Sequence, residues 1–171
     1  MSYHIYTTRG IILSSRPIGE ADRIYSVLTR DLGLVRARAA GVRKNISKLR
    51  GVLEPFVLSR ISLVRGKDYW RVTSAECLRA IPAAAGIARP LALLEKLVQG
   101  EAHHPELFDA VEDEITRFKI QDSGFKNEDW EISLVSKVLH HLGYLKEADL
   151  NLDKKELIKV INEGLQSSHL V

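Results

Sequence analysis

The chain has 171 residues, 45% of them hydrophobic and 27% charged, with a formal net charge of +3 and one cysteine, Cys77. This is an ordinary globular composition, long enough for one domain or two small ones, and it argues against an internal disulfide framework or a cysteine-built zinc site. No apolar run approaches the roughly 18 residues of a membrane span, and Thr7, Thr8 and Arg9 interrupt the N-terminus where a signal peptide would need an apolar stretch. A cytoplasmic protein with no membrane association is the expectation.

Residues 1–80 read as strands. Ile5, Tyr6 and Ile11-Ile12-Leu13 lie in β-rich sequence interrupted by Gly10, and Ser15-Arg16-Pro17-Ile18-Gly19 is a turn cluster. A β-branched run at 24–29 leads to Asp31-Leu32-Gly33, a tight connection that calls for positive φ at the glycine. From 34 to 40 the pattern alternates, with Val35, Ala37 and Ala39 on one face and Arg36, Arg38 and Ala40 on the other. Residues 56–64 and 69–75 are two more strands around a four-residue hairpin loop, Arg65-Gly66-Lys67-Asp68. Five short strands suit a small closed barrel, in which closure removes exposed edges. The OB-fold is the five-stranded member of that class and commonly binds oligonucleotides; strand count alone leaves an SH3-like barrel open.

The texture then becomes helical. Pro82 to Gly86 marks a boundary. A helix over 90–98 opens on Pro90 and stops at Gly100. Residues 105–118 are amphipathic, with Leu107, Phe108, Val111, Ile115 and Phe118 at spacings of three and four. A polar loop follows at 121–126. Asn127 or Asp129 is placed to cap a helix over 130–142, and Asp153 with Glu156 gives a cap-plus-acid start to a last helix ending near 166. The expected class is α+β: a five-stranded OB-fold barrel at 1–80 followed by a small α-helical domain at 81–171.

Charge divides the same way. Residues 1–80 hold 15 Lys/Arg and 6 Asp/Glu, a net of +9, and residues 81–171 hold 10 and 16, a net of −6. Such asymmetry points the first half at a polyanion. Its densest stretch, 36–50, contains Arg36, Arg38, Arg43, Lys44, Lys48 and Arg50 and no acid. Several cations presented together are what phosphate neutralisation requires, because counterion release accumulates with each contact. Gly41, Asn45 and Ser47 add pliability and neutral hydrogen-bonding groups. Tyr3, Tyr6, Tyr25, Tyr69 and Trp70 lie in the same half, where aromatics can stack on unpaired bases or fill a core. Tyr69 and Trp70 are adjacent, point to opposite faces of a strand, and leave one of the two exposed. The candidate DNA-binding set is therefore Arg36, Arg38, Arg43, Lys44, Lys48, Arg50, Tyr69 and Trp70.

Catalytic signatures are absent. Arg65-Gly66-Lys67 lacks the upstream glycine of a phosphate-binding loop, and there is no nucleophile elbow or zinc-protease pair. Glu20 and Asp22, flanked by Arg16 and Arg23, read as salt-bridge formers. Adjacent histidines on a helix diverge by about 100°, so His103-His104 and His140-His141 are poor chelates. Cys77 is expected as a buried thiol. Neither a metal nor a cofactor is expected, and the protein is read as a non-enzyme. A small barrel that recognises an acidic peptide or tail is the alternative to nucleic-acid binding.

Three stretches together resemble the RecO family of DNA repair and recombination mediators. They are residues 11–23 (Ile11-Ile12-Leu13-Ser14-Ser15-Arg16-Pro17-Ile18-Gly19-Glu20-Ala21-Asp22-Arg23) with Leu28-Thr29-Arg30-Asp31-Leu32-Gly33; Ala39-Ala40-Gly41-Val42-Arg43-Lys44 with residues 47–56; and residues 69–76, ending Ser74-Ala75-Glu76. Weaker similarity continues through His104-Pro105-Glu106-Leu107-Phe108 and Leu142-Gly143-Tyr144. The resemblance implies an N-terminal OB-fold and a helical C-terminal domain. It also implies binding of single- and double-stranded DNA, strand annealing, partnership with a RecR-like protein and a single-stranded-DNA-binding protein, and loading of recombinase. The family's basic segment corresponds to Arg43, Lys44, Lys48 and Arg50. Many members carry a four-cysteine zinc module after the Leu-Gly-Tyr segment; residues 145–150 contain no cysteine, so a short form without that module is expected.

Overall fold

The structure, a computed structural model, describes residues 4–80, 88–120 and 127–168, with backbone alone at 118–120 and 127. Tyr3, the 82–86 boundary, the 121–126 loop and the side chains of Phe118 and Asn127 lie outside the described residues. Two compact units are present: residues 1–82 with 100–104, and residues 83–99 with 105–171.

The first unit is a closed barrel of β1 (Ile5–Ile18), β2 (Asp22–Thr29), β3 (Gly33–Ala39), β4 (Val57–Val64) and β5 (Trp70–Ala80), in the order β1-β2-β3-β5-β4. All ladders are antiparallel except the short parallel closure of β3 on β5, Ala37 opposite Trp70 and Arg38 opposite Arg71. This five-stranded barrel is the OB-fold. β1 is long because it serves two neighbours: residues 5–11 pair with β4, and residues 10–18 pair with β2 across a bulge at Leu13. The strand therefore runs through both features that the sequence marked as breaks. At Gly10 a Cβ would lie 2.7 Å from Val27 Cγ1 and 3.2 Å from Ile61 Cδ1. Glycine there admits the facing core side chains and leaves the strand unbroken. Of the turn cluster, residues 15–18 pair with β2 and only Gly19 leaves the strand. β5 likewise extends past residue 75, because β4 pairs with it as far as Ala80, with two bulges on the way.

The interior is built by alternation. Val35, Ala37 and Ala39 of β3 face inward with Ile12, Tyr25, Val27, Ile61, Leu63 and Trp70, while Arg36 and Arg38 face out. Val42 and Leu53, from the long β3–β4 connection, complete the same core. Each such burial is worth roughly 1.5–3 kcal/mol, so the connection is anchored at both ends.

Segment 100–104 belongs with the barrel for a local reason. Gly33, at φ +72°, makes the turn between β2 and β3, and the Leu34 amide donates to the Gly100 carbonyl (3.1 Å). A Cβ on Gly33 would sit 2.2 Å from the Ala102 carbonyl oxygen and 2.7 Å from its nitrogen, backbone atoms that cannot swing aside. Gly33→Ala is expected to cost about 2–4 kcal/mol, from left-handed strain plus displacement of that segment. Urea denaturation followed by circular dichroism measures it, and a loss below about 0.5 kcal/mol, the range of neutral surface substitutions, would contradict this packing.

The second unit holds α1 (Ala88–Leu97), α2 (Pro105–Ile120), α3 (Asn127–His141) and α4 (Lys154–Ser167), with a 3-10 turn at Glu147–Asn151. Its buried face includes Leu91, Leu94, Phe108, Val111, Ile115, Trp130, Leu134 and Ile161. The Trp130 indole donates to the Glu114 carbonyl (2.8 Å), and the buried Glu114 carboxylate is neutralised by Lys137 and Arg117. Asp153 caps α4 by accepting from the Lys155 and Glu156 amides, as the sequence pattern indicates. α3 begins three residues ahead of the expected Trp130.

Candidate nucleic-acid interface

Residues 40–56 connect β3 to β4 as a succession of turns. Amides of Lys44, Ser47, Arg50 and Val52 donate to the carbonyls of Gly41, Lys44, Ser47 and Leu49 respectively. The far end is pinned by the Phe56 amide on the Ile12 carbonyl (2.8 Å) and by the Ser59 hydroxyl on the Val52 carbonyl (3.1 Å). With Val42 and Leu53 in the core, the segment is a braced platform, and the pliable connection expected from Gly41, Asn45 and Ser47 is corrected accordingly.

The near end is clasped to the β1–β2 turn. Asp22 accepts from Arg38 Nε (2.8 Å) and Nη2 (2.5 Å) through one carboxylate oxygen and from the Gly41 amide (2.7 Å) through the other. The Arg43 amide donates to the Ala21 carbonyl (2.9 Å), and its guanidinium donates to the Gly19 carbonyl (3.1 Å). Asp22 thus pairs across the sheet with Arg38, not with the Arg16 and Arg23 that flank it in sequence. The Gly41 amide and then the Arg38 guanidinium hold the Asp22 carboxyl below its ordinary range. A depressed folded pKa means this stabilisation is present above the unfolded carboxylate pKa and is lost as pH falls through the folded one. Asp22→Asn is expected to speed hydrogen exchange of the Gly41 amide about tenfold at neutral pH. An unchanged rate would show that the clasp does not hold the platform.

The candidate cations divide by partner. Arg36, Arg38, Arg43, Lys44, Lys48 and Arg50 are all exposed. Among these six, Arg38 alone forms an ion pair within the described residues. Arg43 spends hydrogen bonds on a carbonyl, and Arg50 Nη1 donates to the neutral Asn45 side chain (2.7 Å). Five of the six therefore keep an uncompensated charge. Arg71, absent from the sequence-derived set, stands beside Arg38 in the parallel β3–β5 register and adds a cation to this face. Ile5, Arg38, Ala40, Val64, Arg71, Val72 and Thr73 line an apolar-floored cleft of about 540 Å3 there. On the outward side of β2, by contrast, Ile24, Ser26 and Leu28 are buried.

The aromatic pair resolves clearly. Trp70 is 4% exposed and sits in the barrel core, with its indole donating to Glu101 Oε1 (2.9 Å), the Arg65 guanidinium 5.1 Å from its ring centroid and Tyr6 edge-on at 5.3 Å. It is not presented to a ligand, which corrects its place in the candidate set. Tyr69, half-buried, ends the β4–β5 loop, which spans 65–69 and not 65–68. Tyr25 is core; Tyr6 is exposed at the rim. Cys77 is exposed, not buried: the β3–β5 ladder ends at Arg71, so no strand flanks β5 on that side at Cys77. His103, His104 and His141 are exposed, and His140 Nδ1 contacts the Leu145 carbonyl (3.2 Å). Among the described residues no three His, Cys, Asp or Glu side chains converge, and no helix is long and apolar enough to cross a membrane.

Comparison with known proteins follows the same division of the chain. Residues 1–81 match the family Recombination protein O N terminal. The DNA repair protein RecO of Synechococcus sp. is 44% identical over 84 residues, which cover 49% of this chain and 28% of that protein. That of Dehalococcoides mccartyi is 48% identical over 77 residues, covering 45% and 30%. The RecO of Heliobacterium modesticaldum is 31% identical over 166 residues, 94% of this chain and 59% of that protein. The chain thus spans less than two thirds of the length of each of these relatives. The barrel thus matches the N-terminal domain of the RecO family, and similarity to a RecO protein continues into the helical half.

Proposed function

We propose that the chain is a non-catalytic DNA-binding mediator in repair and recombination. The braced 40–56 platform and the outward face of β3 hold phosphates without sequence preference. The observation that carries this reading is that five clustered cations, Arg36 on β3 and four on the connection clasped to the neighbouring turn, form no ion pair among the described residues. Clustering of like charge costs self-repulsion, which a polyanion relieves. Arg36, Arg43, Lys44, Lys48 and Arg50 make the phosphate contacts, and Arg38 positions the platform through Asp22. The apolar-floored cleft beside Arg38 and Arg71 offers a surface for an unpaired base, with Tyr69 at the adjacent loop. No bond is made or broken; charge-assisted contacts are the residues' whole contribution.

Single- and double-stranded DNA are the ligands, annealing of strands is the consequence, and loading of recombinase onto single strands is the outcome. A RecR-like protein and a single-stranded-DNA-binding protein are the partners. The names of the relatives and the match of the barrel support these roles. Anisotropy titration of a labelled single-stranded oligonucleotide at several salt concentrations tests the reading. Log K should fall against log salt by about 0.7 per neutralised phosphate. Absence of binding at low salt removes it, and displacement of the oligonucleotide by equimolar acidic peptide favours a peptide-binding barrel instead.

A further inference from the structure

Ile46 is 90% exposed, well beyond Ile5 at 57%, the next most exposed large hydrophobic side chain among the described residues. It sits at a tip of the platform. The Ser47 amide donates to the Lys44 carbonyl (3.0 Å) and closes a turn whose two central residues are Asn45 and Ile46. Turn tips are ordinarily taken by Gly, Pro, Asn, Asp or Ser, and an aliphatic side chain gains nothing from burial there. A residue that breaks the local rule with no packing reason in its own fold marks a place where function sets the choice.

The tip has a stiff support. Leu49, three residues on, packs against the barrel core, and Val42 and Leu53 are buried in it. The Asn45 side chain accepts from Arg50 Nη1 (2.7 Å), and the Leu49 amide donates to the Ser47 hydroxyl oxygen (3.3 Å). An apolar side chain on such a support presses into a ligand without being pushed back. Its neighbours indicate the ligand's chemistry. Arg43 and Lys44 precede Ile46, Lys48 and Arg50 follow it, and all four are exposed. Lysine is depleted where an apolar anchor enters a protein partner. Cations on both sides of an apolar tip suit DNA, where phosphates flank each groove and the stacked bases lie between them. Proteins that kink a duplex insert Ile, Leu, Phe or Met between base steps beside Arg and Lys contacts.

We propose that Ile46 is a wedge that enters between stacked base pairs of double-stranded DNA and partly unstacks them, while the cations on either side hold the flanking phosphates. This rests on the reading of the platform as a nucleic-acid site and adds to it a contact that carries no charge. Unstacking costs least at a mismatch or a flexible pyrimidine–purine step, so the wedge directs the protein to duplexes that already open easily.

The full chain is titrated at low salt into duplexes that carry a fluorescent base analogue, which brightens when it leaves the stack. Saturating wild-type protein should brighten it about twofold, and a duplex with one mismatch should bind about tenfold more tightly than its matched counterpart. Ile46→Ala should remove the brightening and bring the two affinities within about twofold of each other, and Ile46→Leu should keep both effects. Neither change removes a charge, so single-strand affinity stays within about twofold and the salt slope is unaltered. At an exposed turn position both variants fold as the wild type does. Binding without brightening, or brightening and mismatch preference that Ile46→Ala leaves intact, overturns the wedge and leaves the platform reading standing. A loss in Ile46→Ala that falls equally on single strands, matched duplex and mismatched duplex also overturns it, because a general contact and not insertion has then been removed. No oligonucleotide binding at all overturns both readings.

Discussion

The Arg36→Ala, Lys44→Ala, Lys48→Ala variant is expected to bind a single-stranded oligonucleotide about 100-fold more weakly than the wild type at about 0.1 M salt, and to flatten the log K against log salt slope by about two. The magnitude follows from counterion release. A slope of about −0.7 per phosphate makes each contact worth about fivefold at about 0.1 M salt relative to the 1 M reference, and three contacts multiply. These three residues are chosen because none of their side chains holds the platform. Arg43 does hold it, through the Gly19 carbonyl, so its removal would mix loss of charge with loss of shape. Unaltered thermal unfolding of the triple variant confirms that only charge was removed. A variant that loses affinity without flattening the slope would mean the platform acts through shape or a partner, and the phosphate reading of these residues would fall. Arg38→Ala makes the contrast: its charge is already spent on Asp22, so its main effect is on Gly41 protection and only secondarily on the slope.

Local pattern revealed much of this. The alternation at 34–40 placed Arg36 and Arg38 outside and Val35, Ala37 and Ala39 inside, because side chains alternate across a strand whatever the strand pairs with. The positive charge of 36–50 and the Asp153 cap were equally local. What escaped was set by contacts distant in sequence. Asp22 is 16 residues from Arg38, and only the β2–β3 register, with Ile24 opposite Arg38, brings the clasp together. Arg71 comes beside Arg38, and Arg60 meets Arg9, through pairings that no spacing rule encodes. Gly10 looked like a break because glycine usually is one; its role is to clear Val27 on the next strand. Segment 100–104 reads as a loop between helices, yet it supplies Gly100 and Glu101 to the barrel. Strand period alone could not say which of Tyr69 and Trp70 faces inward, since the answer depends on how β5 closes against β3.

That last ambiguity has a measurable resolution. Trp70→Ala is expected to destabilise the barrel by about 3–5 kcal/mol, the usual cost of removing a large buried aromatic, out of a typical total of about 5–15. Trp70→Phe keeps most of the apolar contact with the core but removes the hydrogen bond to Glu101, leaving that half-exposed carboxylate to Arg65 and water. Its cost is expected near 1 kcal/mol, plus a small void. The two readings of this residue diverge on DNA. A base-stacking platform is worth about 1–3 kcal/mol per base, so losing one would weaken single-strand binding by up to about 100-fold in Trp70→Ala. A core residue changes stability and leaves affinity within about twofold in Trp70→Phe, with the protein still folded. Urea unfolding by circular dichroism, paired with anisotropy well below the transition, separates them. Intrinsic fluorescence would not, because Trp130 in the helical unit reports as well. Large loss of affinity with stability unchanged would return Trp70 to the interface and would require the barrel to open where β3 meets β5. The opposite pattern leaves Tyr69 and the cleft beside Arg71 as the places where a base can be met.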